Sequence, residues 1–133
     1  MEDTIVALST PPGRGGISVV RVSGALSKKI GASLCGDLAG SNVLKPCVVR
    51  DGEKERIDFG LVVFFKGPRS YTGEDMTEIS CHGNPLVVDS IIKACCFFGA
   101  RLAEPGEFTK RAFVNEKIDD GLDIKNLFED IFS

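Results

Sequence analysis

The chain contains no tryptophan, one tyrosine, one histidine and two methionines in 133 residues. A lone histidine cannot build a multi-histidine metal centre, and the neighbouring Cys81 alternates onto the opposite face of an extended strand, so no metal site is expected. Also missing is any run of about eighteen apolar residues, which argues against a membrane span. The opening residues Met1 to Thr4 are acidic rather than targeting-like, and a cytoplasmic location is expected. Nucleotide loops are lacking too. No Gly-x-x-x-x-Gly-Lys-Ser/Thr occurs, and the "GRGG" at Gly13 to Gly16 fails the dinucleotide pattern because Ser18 stands where glycine is needed. There is no excess of positive charge: the net charge is −3 and the pI about 5.2, wrong for a protein whose main work is to grip a phosphate backbone. The acidity is local, since residues 118–133 carry five acids and one lysine and leave the first 117 residues at about +1. Cysteine is not scarce, but five is an odd number and Cys95-Cys96 adjoin inside an apolar run, which reads as buried thiols in a reducing compartment rather than a disulfide framework.

What is present, 43% hydrophobic and 26% charged residues, suits one soluble domain with a core of its own. Asp3 to Ser9 reads as a short strand ending in the "TPPGRGG" loop. "ISVVRVS" follows as a β-branched central strand, with Ile17, Val19, Arg21 and Ser23 on one face. Leu26, Ile30 and Leu34 recur at helical spacing before Gly36. "CVVRDGEKERIDFGLVVFF" reads as a hairpin with Asp51-Gly52 as its turn signal. A polar strand near Thr77 to His82 leads into a helix capped by Asn84 with Pro85 at its first position, a core stripe at Val88, Ile91, Ile92, Cys95 and Phe98, and Gly99 at its end. Arg101 to Ala103 suggests a further strand, Phe108 to Asn115 a short helix, and Ile124, Leu127, Phe128 and Ile131 a last helical stripe. The order predicts an α+β domain: a mixed sheet with helices mainly on one face.

Four stretches could carry chemistry. Gly13 to Gly16 is either a rigid turn or a close backbone approach to a ligand. Glu78, Ser80 and His82 share one face of their strand, which is either a solvated face or a site; no aspartate is tied to His82 by sequence, although His82 and Asp75 are candidate acid–base groups. Arg21, set among valines, must pair with an acid or meet a ligand, and Glu78 is the plausible mate. Phe108 to Lys117 mixes Lys110, Arg111 and Lys117 with Phe108 and Phe113, either an amphipathic helix or a receiver of an anionic aromatic ligand. A flat ring with an amino/NH edge and an acidic tail, as in folates, would suit a carboxylate and a cation together.

"DTIVALSTPPGRGGISVVRVSG", "SYTGEDMTEISCHGNPLVVDSIIK" and "ARLAEPGEFTKRAFVNEKID" together resemble the N-terminal domain of the MnmE/TrmE family of bacterial tRNA-modification GTPases. The resemblance runs through residues 1–119 and fades in residues 120–133. It implies a fold similar to the folate domain of the glycine-cleavage aminomethyltransferase, homodimerisation, and binding of a one-carbon tetrahydrofolate such as the 5-formyl form. By motif, the folate contacts fall on Arg21 of "RVSG", Glu78 of "TGEDMTE" and Lys117 of "VNEK". It also implies work with the flavoprotein MnmG on C5 of the tRNA wobble uridine, with tRNA met only indirectly. The helical, GTPase and C-terminal cysteine-motif regions of that family do not occur in these 133 residues, so GTP hydrolysis and catalytic residues are not expected here. Whether the sequence is a fragment or a truncated copy stays open. The alternatives are a stand-alone folate-dependent one-carbon transferase and an interaction partner of a full-length copy.

Overall fold

The structure, a computed structural model, describes residues 3–10 and 16–117. The tail stripe from Ile124 to Ile131 and Gly13 to Gly15 lie outside the described residues. Chain order is β1 (Ile5–Leu8), β2 (Ile17–Ser23), α1 (Ser27–Cys35), β3 (Lys45–Arg50), β4 (Arg56–Phe65), β5 (Met76–His82), α2 (Pro85–Phe97), β6 (Arg101–Leu102) and α3 (Glu107–Lys117). The strands form one six-stranded sheet in the order β3-β4-β5-β2-β1-β6. Neighbours are antiparallel except β1 and β6, so the sheet is mixed, as the element order predicts.

Period-two alternation divides the sheet into two unlike faces. Val20 and Val22 of β2, Val62 of β4, Val49 of β3, and Ile79 and Cys81 of β5 turn toward α1 and α2, where Ile30, Leu34, Val88, Ile91 and Cys95 complete the core. The opposite face carries Val19, Arg21, Glu78 and Ser80, all only partly buried, together with the exposed Ile17 and His82. α1 approaches β5 closely because Gly31 faces it: a Cβ there would lie 2.7 Å from Thr77 Cγ2, while Thr77 Oγ1 donates to the Ser27 carbonyl at 3.0 Å. Asn84 caps α2 by accepting the Leu86 N–H at 2.8 Å, and the exposed Asp89–Lys93 pair lies on its wet side.

α3 departs from the two-helix layer. It is fastened to the connection between β4 and β5: Tyr71 Oη lies 3.1 Å from Thr109 Oγ1, Arg111 Nη1 donates to Glu74 at 2.9 Å, and Asn115 Nδ2 donates to the Thr72 carbonyl. Two local expectations differ from the structure. Leu26 stands at the cap of α1 and is 40% exposed instead of opening the buried stripe. The β3–β4 turn spans Asp51 to Glu55, with Asp51 Oδ1 accepting the N–H groups of Glu53 and Glu55, so Lys54 takes the positive φ (66°) in place of Gly52. The aspartate's local hydrogen bonds outweigh the two-residue turn preference.

Gly31→Ala is expected to lower stability even though alanine is the better helix former by about 1 kcal/mol, because the added methyl must displace the fully buried Thr77. Urea unfolding should show a lower midpoint at unchanged slope.

A candidate ligand-binding face

The β2–β5 register decides which side chains meet. Arg21 pairs with Glu78, and Glu78 pairs in turn with Val63 of β4, so the acid sits between the two neighbouring strands. Arg21 Nε donates to Glu78 Oε2 at 2.6 Å, with the side chains 30% and 20% exposed. A charge-assisted contact this short is a strong one, and the partial exposure leaves the pair accessible to solvent. The guanidinium carbon also lies 5.0 Å from the centre of the Tyr71 ring, which covers it from the β4–β5 connection. Among the described residues no other hydrogen bond is made to the Arg21 guanidinium or to Glu78 Oε1.

Beside Glu78 opens a cleft of about 480 Å³, walled by Asn42, Phe65, Arg69, Tyr71, Met76 and Glu78. The recess is mixed: Phe65, Pro68 and Tyr71 give it apolar and aromatic walls, Asn42, Arg69 and Ser70 are polar, and Glu78 is its carboxylate, a composition that can take a flat ring bearing hydrogen-bond donors.

A second set of charges fixes the wall of this recess. Ser23 Oγ lies 2.6 Å from Thr72 Oγ1 and donates to Glu74 at 2.7 Å, and Glu74 also receives Arg111. Arg111, 5% exposed, reaches Glu107 at 3.2 Å, and Glu107 takes Arg101 through bonds of 2.9 and 2.7 Å. The Arg101 hydrogen bonds outweigh partial burial and hold the Glu107 carboxyl down at about 2. Arg111 thus serves to anchor α3. Lys117 is the last residue of that helix, and of the expected ligand residues Arg21 and Glu78 are in direct contact.

At the other end of β5, His82 has the aspartate that no sequence spacing suggested. Asp58 of β4 accepts its backbone N–H at 2.8 Å and lies 2.9 Å from its Nδ1. Gly83 N–H donates to the Gly16 carbonyl at 2.9 Å, joining the end of the glycine-rich loop to the turn after β5. Asp75, the other acid–base candidate, is engaged by Gly67 N–H at 2.9 Å and Lys66 Nζ at 3.3 Å and closes the β4–β5 connection. No group of three or more metal-ligating side chains occurs among the described residues. Tyr71, Glu74 and Asp58 were not legible as site residues: each acts through a partner brought close only by strand pairing.

The profile of "GTP-binding protein TrmE N-terminus" matches residues 4–117. The chain belongs to this family. Within it, the chain is 52% identical over 122 residues to the tRNA modification GTPase MnmE of Legionella pneumophila (strain Paris), covering 88% of this chain and 26% of that protein. It is 47% identical over 116 residues to the protein of the same name from Neisseria meningitidis serogroup C, covering 87% of this chain and 26% of the relative. The chain therefore spans about a quarter of the length of these TrmE-family relatives.

Because the folded Glu107 carboxyl, at about 2, lies below its unfolded value of 4.5, its contribution to stability is present above about pH 4.5 and is lost as pH falls toward 2. Glu107→Gln should flatten the acid limb of a stability-against-pH curve in that window, checked by urea midpoints at several pH values.

Proposed function

We propose that this chain is a homodimeric binding module for a one-carbon tetrahydrofolate of the 5-formyl type. In this reading it presents the cofactor to tRNA-modification chemistry at C5 of the wobble uridine, performed with a MnmG-type flavoprotein and with tRNA engaged indirectly. Family membership supports the setting, and the likeness to the aminomethyltransferase folate domain belongs to the same proposal. The observation that carries it is the partly exposed Arg21–Glu78 pair at the edge of a cleft with aromatic walls.

The residues present fit such a group. Glu78, held by Arg21 through Oε2, keeps Oε1 as an acceptor for the amino and N–H edge of a pterin. Phe65 and Tyr71 supply walls for a flat ring. Arg21 holds Glu78 in place through Oε2, and Lys117 is assigned to the acidic tail of the ligand. The bound folate would supply the one-carbon unit; the chain's own residues bind it, orient it and exclude water from one side. Among the described residues no helix is long and apolar enough to cross a membrane.

Calorimetric titration of 5-formyltetrahydrofolate into the purified chain tests this reading. Glu78→Gln should weaken binding by about 1–3 kcal/mol, the cost of a lost charge-assisted contact, with the fold retained. Unchanged affinity in a folded variant would remove Glu78 from the site, and a monomeric mass in solution would remove the dimer.

A further inference from the structure

His82 is both exposed and fixed. Its side chain is 71% exposed, yet Nδ1 lies 2.9 and 3.0 Å from the two carboxylate oxygens of Asp58, whose Oδ2 also accepts the His82 backbone N–H at 2.8 Å. Asp58 is only 12% exposed, but with the imidazole standing in water the ion pair adds little stability and costs the ring its rotamer freedom. Nor is the ring needed to join β4 to β5, which the ladder and the backbone bond to Asp58 already do. What the contact does achieve is orientation. A carboxylate at Nδ1 keeps a proton on that nitrogen in both charge states of the imidazole, so Nε2 becomes the atom that gains and loses one.

Beside the ring is a cavity of about 200 Å³ with Ile17, Phe59 and Leu61 in its walls. These apolar side chains are 65%, 58% and 36% exposed, an outward-facing surface next to a single polar handle. His82 lies four residues along β5 from Glu78, about 13 Å at the usual strand rise, so this cavity is separate from the cleft at Glu78.

We propose that Asp58 and His82 form an acid–base dyad serving this cavity, in which Nε2 accepts a proton from an N–H or O–H group of a flat aromatic substrate seated on Ile17, Phe59 and Leu61. This does not rest on the cofactor reading. A neutral imidazole beside an ionised carboxylate leaves the pair net negative, which favours a donor over an anion. Burial opposes ionisation of Asp58, but its hydrogen bonds from His82 and the Phe59 N–H hold it below the ordinary carboxylate range. Among the described residues the only other titratable group in the lining is the Cys81 thiol, pushed up to about 11 by burial and by Asp58, and the one cation against a lining side chain is Arg56, 5.1 Å from the centre of the Phe59 ring. In the step itself the substrate N–H or O–H bond breaks, its electron pair stays on the substrate atom, and an Nε2–H bond forms on an imidazolium that Asp58 stabilises. His82 is then the catalytic residue and Asp58 a positioning residue.

Because His82 is the chain's only histidine, its signals need no assignment. Nitrogen-15 NMR of the whole chain should show the neutral ring protonated at Nδ1. Acylation by diethyl pyrocarbonate, in which Nε2 attacks the carbonyl and ethyl carbonate leaves, should run several-fold faster than on free N-acetylhistidine. Benzamide, a flat aromatic N–H donor, should shift the Nε2 resonance and slow that acylation. Asp58→Asn, which still accepts the backbone N–H, should bring the rate down to the free value. His82→Gln should abolish the histidine adduct while leaving the melting temperature unchanged. The proposal is overturned by an Nε2-protonated neutral ring, by a wild-type rate equal to that of free N-acetylhistidine, by no response to benzamide, or by a large loss of stability in His82→Gln, which would make the ring a strut. Should Asp58→Asn fail to fold, the tautomer and the benzamide response of the unaltered chain still decide.

Discussion

Everything distinctive about this domain depends on the antiparallel register between β2 and β5. With Arg21 opposite Glu78, the two charges land on the less buried face of the sheet and the valines between them on the core face. Side chains alternate with a period of two, so a slip by one residue would drive a guanidinium into the helix layer and turn Val20 and Val22 to water. An unpaired charge in that core would cost several kcal/mol. Core formation and placement of the ion pair are therefore the same event, and neither strand can satisfy its hydrophobic pattern without presenting the pair.

The same register explains why, among the described residues, one face of the sheet is covered by helices and the other is less buried. α1 and α2 occupy the core side because their apolar stripes fit there, α1 through its glycine against Thr77. α3 finds its place elsewhere, by ion pairs. Arg111 and Glu107 bind it to Glu74 and Arg101, and Tyr71 reaches from the same connection over Arg21. The β4–β5 connection thus joins two functions: its buried Ser23, Thr72 and Glu74 bonds hold its base, and its aromatic tip shapes the cleft beside Glu78. Rigidity at the base gives the recess a defined shape, which lowers the ordering cost of binding a ligand there.

Two hollows on one face, one with a carboxylate and one with an imidazole, give β5 an unusual load. Glu78, Ser80 and His82 alternate outward while Thr77, Ile79 and Cys81 are buried. The matched region covers 26% of the length of the family relatives.

Local pattern in the chain was enough to settle the strands and helices themselves. β-branched alternation marked β2, an asparagine–proline pair marked the start of α2, and glycines marked the ends of α1 and α2, because capping, backbone freedom and burial of a stripe act within a few residues. It also singled out Arg21 and proposed Glu78 as its mate, since a charge among valines demands a partner wherever it folds. Tertiary structure alone decided the rest. Asp58 reaches His82 across 24 residues of sequence, Tyr71 covers Arg21 across fifty, and Arg111 became an anchor through Glu74. Those partners are chosen by strand pairing and chain reversal, which bring distant residues within a hydrogen bond of each other and leave no periodic trace in the sequence.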